Sequence, residues 1–407
     1  MKFITLDSLP ALRRLILMAL LVPFLQPDIG LCDASEVVAQ YNAHTWQTDE
    51  GLPNNNVQAI AQTQDGYLWV GTREGLVRFD GMHFKAFDAK DAAALGNWNI
   101  TALCGDKAGA LWIGSDGGGL VRYKDGAFLH FGKTNGLAGE SIRVIYESRD
   151  GSIWIGTSTG MSQFKDGKFT YYTRLYFTQE PSLVSSIVNS ITEDKESCLW
   201  VATSGGLNRL KGQNIAAFTN GLPNKTLRKV YQDREGRLWI GSNSGLTSYK
   251  NGEFHSYSTR QGLSDNFVTS VCEDQSGNLW VGGYAGINRF EDGNLVTEVN
   301  VKGEPYDQVN TIFEDREGNI WAGSKEGLVQ FTPRRFSAFT KQQGLSYNNI
   351  MSVSEDRAGS LWIGTWGGGL NQLKDGEFTA YGAAEGLRFP MILSTCEGHD
   401  GSLWVGA

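Results

Sequence analysis

Beyond its N-terminal segment, the chain places its hydrophobic residues in short runs broken by Gly, Asp and Asn, without the recurrence at three and four that marks an amphipathic helix. Residues 269–299 show the pattern. Apolar runs cover residues 269–273, 278–282, 286–290 and 294–299, with turn chemistry between them. Four such runs predict four short strands joined by tight turns, the content of one small antiparallel sheet. A sheet of this size has two faces to cover and cannot bury both alone.

The unit recurs. A Trp followed by a β-branched or small residue, then usually by Gly, stands at Trp69, Trp112, Trp154, Trp200, Trp239, Trp280, Trp321, Trp362 and Trp404, with successive spacings of 43, 42, 46, 39, 41, 41, 41 and 42 residues. A four-stranded unit of about 40 residues is the signature of a β-propeller blade. Blades packed face to face cover one another, and the repeated Trp supplies a large apolar contact to each seam. The fold class expected is all-β, a β-propeller of four-stranded antiparallel blades.

Residues 43–52 read as an outer strand without a blade of its own, since His44-Thr45-Trp46 aligns with His255-Ser256-Tyr257. Such a strand can close a ring by completing its last blade, which removes a frayed edge. The Trp positions mark nine units, more than the usual four to eight blades of one ring. The expectation is a seven-bladed ring over residues 35–332, with residues 333–407 carrying further repeats of a second propeller that stop partway through a blade. A single eight-bladed ring is the alternative.

Each unit carries aliphatic residues twelve and nine positions before its Trp, such as Val57 and Ile60, which read as opposite faces of an inner strand buried on both sides. The slot between them, eleven before the Trp, is polar: Gln58, Thr101, Arg143, Asn189, Arg228, Thr269 and Asn310. These side chains are expected to ring the mouth of the central channel, either as hydrogen bonds between blades or as a socket for a small ligand. Arg143 and Arg228 would favour a carboxylate, sulfate or uronic acid, because guanidinium meets such groups with two parallel hydrogen bonds.

Trp98, Tyr284 and Trp366 depart from the repeat in loops on the variable face, where an aromatic ring either stacks on a sugar or packs against the protein. Asp65, Asp233 and Asp315 belong to Asp-x-x-Gly-x-Leu-Trp segments and are expected to form turns, since they recur in most units whereas catalytic residues break a repeat.

The first residues bear on the compartment. Lys2, Arg13 and Arg14 precede an apolar run over residues 15–25 that is short for a membrane span, so residues 1–34 are expected to be a signal peptide with Ala34 before the cleavage site. The product would then be periplasmic or otherwise extracytoplasmic. The net charge of -8 argues against nucleic acid as a partner. Cys104, Cys198, Cys272 and Cys396 form no close pair and no metal-type spacing, so neither a disulfide framework nor a metal site is expected, and the thiols read as small apolar fillers. No nucleophile elbow, HExxH or phosphate loop is present, and no cofactor is implied.

Phrases such as Asp49-Glu50-Gly51-Leu52-Pro53-Asn54-Asn55, Asp65-Gly66-Tyr67-Leu68-Trp69-Val70-Gly71-Thr72 and Gly75-Leu76-Val77-Arg78-Phe79-Asp80-Gly81 resemble the two-component regulator propeller family. The resemblance covers nearly the whole chain after the N-terminal segment. It implies a periplasmic sensor of a signal-transduction receptor, with two seven-bladed propellers, a β-sandwich, a membrane helix and a cytoplasmic histidine kinase or diguanylate cyclase. Those later parts are not in these 407 residues, so kinase or cyclase activity is not expected of this chain. The partner expected is a small-molecule or oligosaccharide ligand, with a homodimer as a further arrangement and membrane contact only through a C-terminal segment beyond this sequence. A secreted propeller hydrolase or lyase is the enzyme alternative, and a protein-binding scaffold the third.

Overall fold

The computed structural model describes residues 41–87, 97–173, 182–212, 214–218, 220–291, 294–298, 308–333, 339–374 and 376–407. The expected signal peptide lies outside them. Two compact units divide the chain at Pro333 and Arg334.

The first unit is a ring of seven four-stranded antiparallel sheets. In blade 5 the strands are Leu227–Gln232 innermost, then Leu238–Ser242, Gly245–Lys250 and Glu253–Tyr257. The seventh blade is completed by Tyr41–Trp46, which runs antiparallel to Leu328–Pro333 from Tyr41↔Pro333 to Trp46↔Leu328. Its inner strand meets the first blade directly. The Val57 N–H donates to Ser324 O at 2.8 Å, and a Cβ placed on Gly323 would lie 2.5 Å from Val57 Cγ1. The ring therefore closes after seven blades and not eight.

That close approach explains the Gly that follows the Trp-aliphatic pair in every blade of the ring but the fourth, which has Ala202. A Cβ at Gly71 would lie 2.5 Å from Ile100 Cγ2 in the next blade, and one at Gly282 would lie 2.7 Å from Val309 Cγ1. Backbone of one blade thus seats the first aliphatic residue of the next, with no room for a side chain. The repeated Trp residues fill the rest of each seam and are 0–7% exposed throughout the ring.

The aspartates do more than turn the chain. Asp274 Oδ1 accepts from the backbone N–H groups of Ser276 and Asn278, and its Oδ2 accepts from the Trp280 indole at 2.8 Å. Asp233 and Asp315 hold Trp239 and Trp321 in the same way. Asp65 is not their equivalent. It sits two residues further on and accepts from Thr63 Oγ1, which in turn accepts from the Trp69 indole. Asp274→Ala strands a buried indole N–H and two backbone donors, and is expected to lower unfolding stability by about 1–3 kcal/mol in a urea titration.

The second unit contains the four-stranded sheet Ile350–Glu355, Leu361–Thr365, Leu370–Lys374 and Glu377–Tyr381, and the hairpin Ser394–Glu397 with Leu403–Gly406. Positions that are buried in the ring are open here: Val353 is 60% exposed and Trp404 is 69% exposed. Cys396 is exposed as well, so the apolar-filler reading of the thiols fails at that position. Within the ring, burial pushes the Cys104 thiol up to about 12 and Cys272 up to about 11, which leaves both unreactive. The four cysteines among the described residues are free.

Candidate functional site

The register of the inner strands positions the site. In blade 1, Val57 pairs with Thr72 and Ala59 pairs with Gly71, so Gln58 is an extra residue in the ladder, a β-bulge. The same shift leaves Thr101, Arg143, Asn189, Arg228 and Thr269 supernumerary in blades 2 to 6. In blade 7, Asn310 directly precedes the strand Thr311–Glu314, with its N–H bonded to Gly323 O at 2.8 Å.

This corrects the expectation that the flanking aliphatics face opposite ways. Val57 and Ile60 share one core cluster, as do Leu227 and Val230, because the extra residue resets the alternation. The bulge residue is turned out of both seams.

All seven of these side chains line one cavity of about 540 Å³. Six of them reach to the next blade. Gln58 Nε2 donates to Asn99 Oδ1 at 2.6 Å, Thr101 Oγ1 to Ile142 O at 2.6 Å, and Arg143 Nη1 to Asn189 Oδ1 at 3.2 Å. Asn189 Nδ2 donates to Leu227 O at 2.7 Å, Thr269 Oγ1 to Val309 O at 2.5 Å, and Asn310 Nδ2 to Val57 O at 2.9 Å, which carries the relay across the ring closure.

Arg228 is the exception. Its Nε donates to Asn243 Oδ1 within its own blade at 2.5 Å, and its guanidinium lies 3.7 Å above the centre of the Phe267 ring. Burial works against its charged form, Tyr284 works for it, and the nearby positive charge of Arg143 adds to the effect of burial, so its pKa lies below the ordinary guanidinium value. Arginine nonetheless stays charged at any physiological pH.

Trp98 and Tyr284 are not among the lining residues. Trp98 lies against Gly75 beside Pro53. Tyr284 stacks on the other aromatic of its neighbourhood, Phe267, with ring centres 4.0 Å apart. It is 43% exposed and adjoins Arg228 through Phe267. Trp366 is in the second unit, where it bridges to Met391.

Sequence reasoning missed Arg73, Asp116 and Ser141, which also line the cavity. They come from the loops on the same face and hold fixed places in the repeat: Arg73 and Asp116 stand four residues after their Trp, and Ser141 thirteen before its own. Asp116 is already engaged, accepting from Ser141 Oγ at 2.6 Å. Among the described residues no cluster of His, Cys, Asp and Glu could hold a metal ion.

The ring, its bulged inner strands and its axial polar cavity define a β-propeller with a polar mouth. The chain belongs to the two component regulator propeller family: the model of that family matches residues 51–74, 136–159, 182–205, 221–244, 262–285, 303–326 and 344–367. No curated protein matches the sequence.

Solved structures do. The extracellular domain of BT3049 from B. thetaiotaomicron, assigned to the hybrid two component systems, is 25% identical over 90% of this chain and 52% of its own, with a TM-score of 0.64. The extracellular domain of BT4673 from the same organism, assigned to the one component systems, is 20% identical over 90% of this chain and 51% of its own, with a TM-score of 0.60. This chain thus spans about half the length of both. Virginiamycin B lyase from Staphylococcus aureus shares the fold, with 14% identity over 72% of this chain and all of its own, and a TM-score of 0.59.

Proposed function

We propose that this chain is the ligand-sensing propeller region of a two-component receptor, working outside the cytoplasm by binding and not by catalysis. The axial cavity carries the reading: six inner strands each insert one extra polar residue, Asn310 stands just before the seventh, and all seven side chains line the same space. Bulges beside binding sites serve to re-aim a side chain, and here they do so without disturbing the ladders. The family match and the naming of BT3049 as an extracellular domain support the compartment, as do the charge and hydrophobicity of residues 1–34. The ligand is a small molecule or oligosaccharide. Its effect is to bias how the blades sit against one another, since the lining side chains are also the blade-to-blade hydrogen bonds. The output domain would follow these residues in the complete receptor.

Screening the purified chain against neutral and acidic saccharides by thermal shift, then by calorimetry, tests this. At least one binder is expected, and Ser158→Trp, which plugs the cavity wall, should weaken it at least tenfold. A binder indifferent to the plug would move the sensing site away from the cavity.

A further inference from the structure

We infer that the axial cavity is built for an acidic saccharide, with the ligand's anionic group seated between Arg143 and Arg228 and its hydroxyls on the surrounding amides and hydroxyls. This rests on the cavity being the sensing site and adds the chemistry of what it senses.

Charge is the first observation. The whole chain is at -8, yet three arginines and one aspartate line this cavity, and the aspartate is already bonded to Ser141. Arg73, Arg143 and Arg228 make no ion pair with any described carboxylate. Two guanidinium groups that oppose each other's charge, with only Asn189 between them in the relay, are an arrangement that an external anion stabilises.

Geometry is the second. Arg228 is the bulge residue that leaves the blade-to-blade relay. Asn243 holds its Nε and Phe267 supports its face, so the group is fixed in orientation while its two terminal nitrogens take no partner among the described residues. Those two nitrogens form an end-on pair suited to the two oxygens of a carboxylate or sulfate. Arg143 commits only one terminal nitrogen, to Asn189, and is exposed to the cavity from the other side. An anion held by both would tie blade 3 to blade 5 across blade 4.

The remaining wall is the third. Asn56, Asn99, Thr101, Ser141 and Ser158 offer amides and hydroxyls, and with Ile142 as the aliphatic among the lining residues the wall is more polar than apolar, which fits a polyol better than a fatty or aromatic acid.

Calorimetry on the 407-residue chain with D-galacturonate, D-galactose and sodium sulfate at constant ionic strength decides the matter. Galacturonate is expected to bind at least tenfold more tightly than either galactose or sulfate. Arg143→Ala and Arg228→Ala should each weaken it by about 10- to 100-fold, the range for a hydrogen bond to a charged group. Arg228→Lys, which keeps the charge and loses the two-pronged fork, should fall between. Arg143 is exposed, so its alanine variant should keep the parent unfolding midpoint and separates loss of binding from loss of fold.

Galactose binding as tightly as galacturonate, with both alanine variants unaffected, would overturn the acidic part and leave the cavity as a sensor of neutral ligands, provided Ser158→Trp blocks it. Sulfate binding as tightly as galacturonate would reduce the site to an anion pocket and overturn the saccharide part. No binding of any of the three would overturn the inference outright. A ligand from the wider screen that ignored the plug would instead sink the cavity itself.

Discussion

Trp280→Ala is expected to destabilise the ring by about 3–5 kcal/mol, the range for truncating a large buried aromatic. Trp280 is 0% exposed and meets two elements at once. Its indole donates to Asp274, its face lies 5.8 Å from the Phe331 ring, and Tyr41 of the closing strand sits edge-on at 5.2 Å. Removing it leaves a cavity in the seam between blades 6 and 7 and a carboxylate without its indole donor. In a thermal melt this corresponds to a drop of roughly 6–15 °C for a domain of this size. The repeat supplies its own control. Trp404 is the same sequence position in the second unit but is 69% exposed, and Trp404→Ala should change stability by less than about 0.5 kcal/mol. Equal losses for the two would contradict the seam account.

Removal of residues 1–46 should do more damage than any single substitution. The strand Tyr41–Trp46 supplies the last ladder of blade 7, and Trp46 stacks on Trp321 at 5.3 Å while also touching Phe79 of blade 1. Without it, Leu328–Pro333 becomes an open edge beside an uncovered aromatic cluster, a template for pairing with other chains. The loss expected exceeds the roughly 3–5 kcal/mol of one buried aromatic. Size-exclusion chromatography should show oligomers, and the urea transition should broaden or disappear. A truncated chain that stays monomeric with an unchanged midpoint would mean that the ring does not depend on this clasp.

The fold was legible because its determinants are local and repeated. Nine tryptophans at near-constant spacing, all but Trp200 followed two residues on by Gly, leave little choice of architecture, and the unpaired strand before the first blade announces the closure. The bulge was harder to read. It depends on register between two strands, and the sign of it, two core aliphatics three residues apart at Val57 and Ile60, was taken as two faces of one strand when it meant one face and an extra residue. Asp65 is a separate matter, for counting back from the Trp puts Thr63, six residues before Trp69, in the place that Asp233 holds before Trp239.

The polar slot itself could be found by alignment of the units, and it led to seven residues of the cavity wall, six of them at bulges. What surrounds them could not. Arg73 and Asp116 share the slot four residues after the Trp, but that this slot faces the cavity is set by how the loops fold, and Phe267 gains its meaning only from Arg228 lying on it. Trp98 and Tyr284 were singled out for being aromatic and unusual, but their packing partners come from other loops, which composition cannot show.

A residue that is surplus to the ladder has a use in engineering. Exchanging the side chain of Arg228 leaves Leu227↔Ser242 and Lys229↔Gly241 paired and leaves Val230 in its seam. Most proteins couple recognition to the framework that displays it, so new specificity is gained at the expense of folding. Here one letter per blade can be rewritten with the strand ladders kept, and at Arg228 the rewriting breaks no hydrogen bond to the next blade, only the stacking of its guanidinium on Phe267. That makes this ring a chassis on which sensors for other small molecules could be drafted.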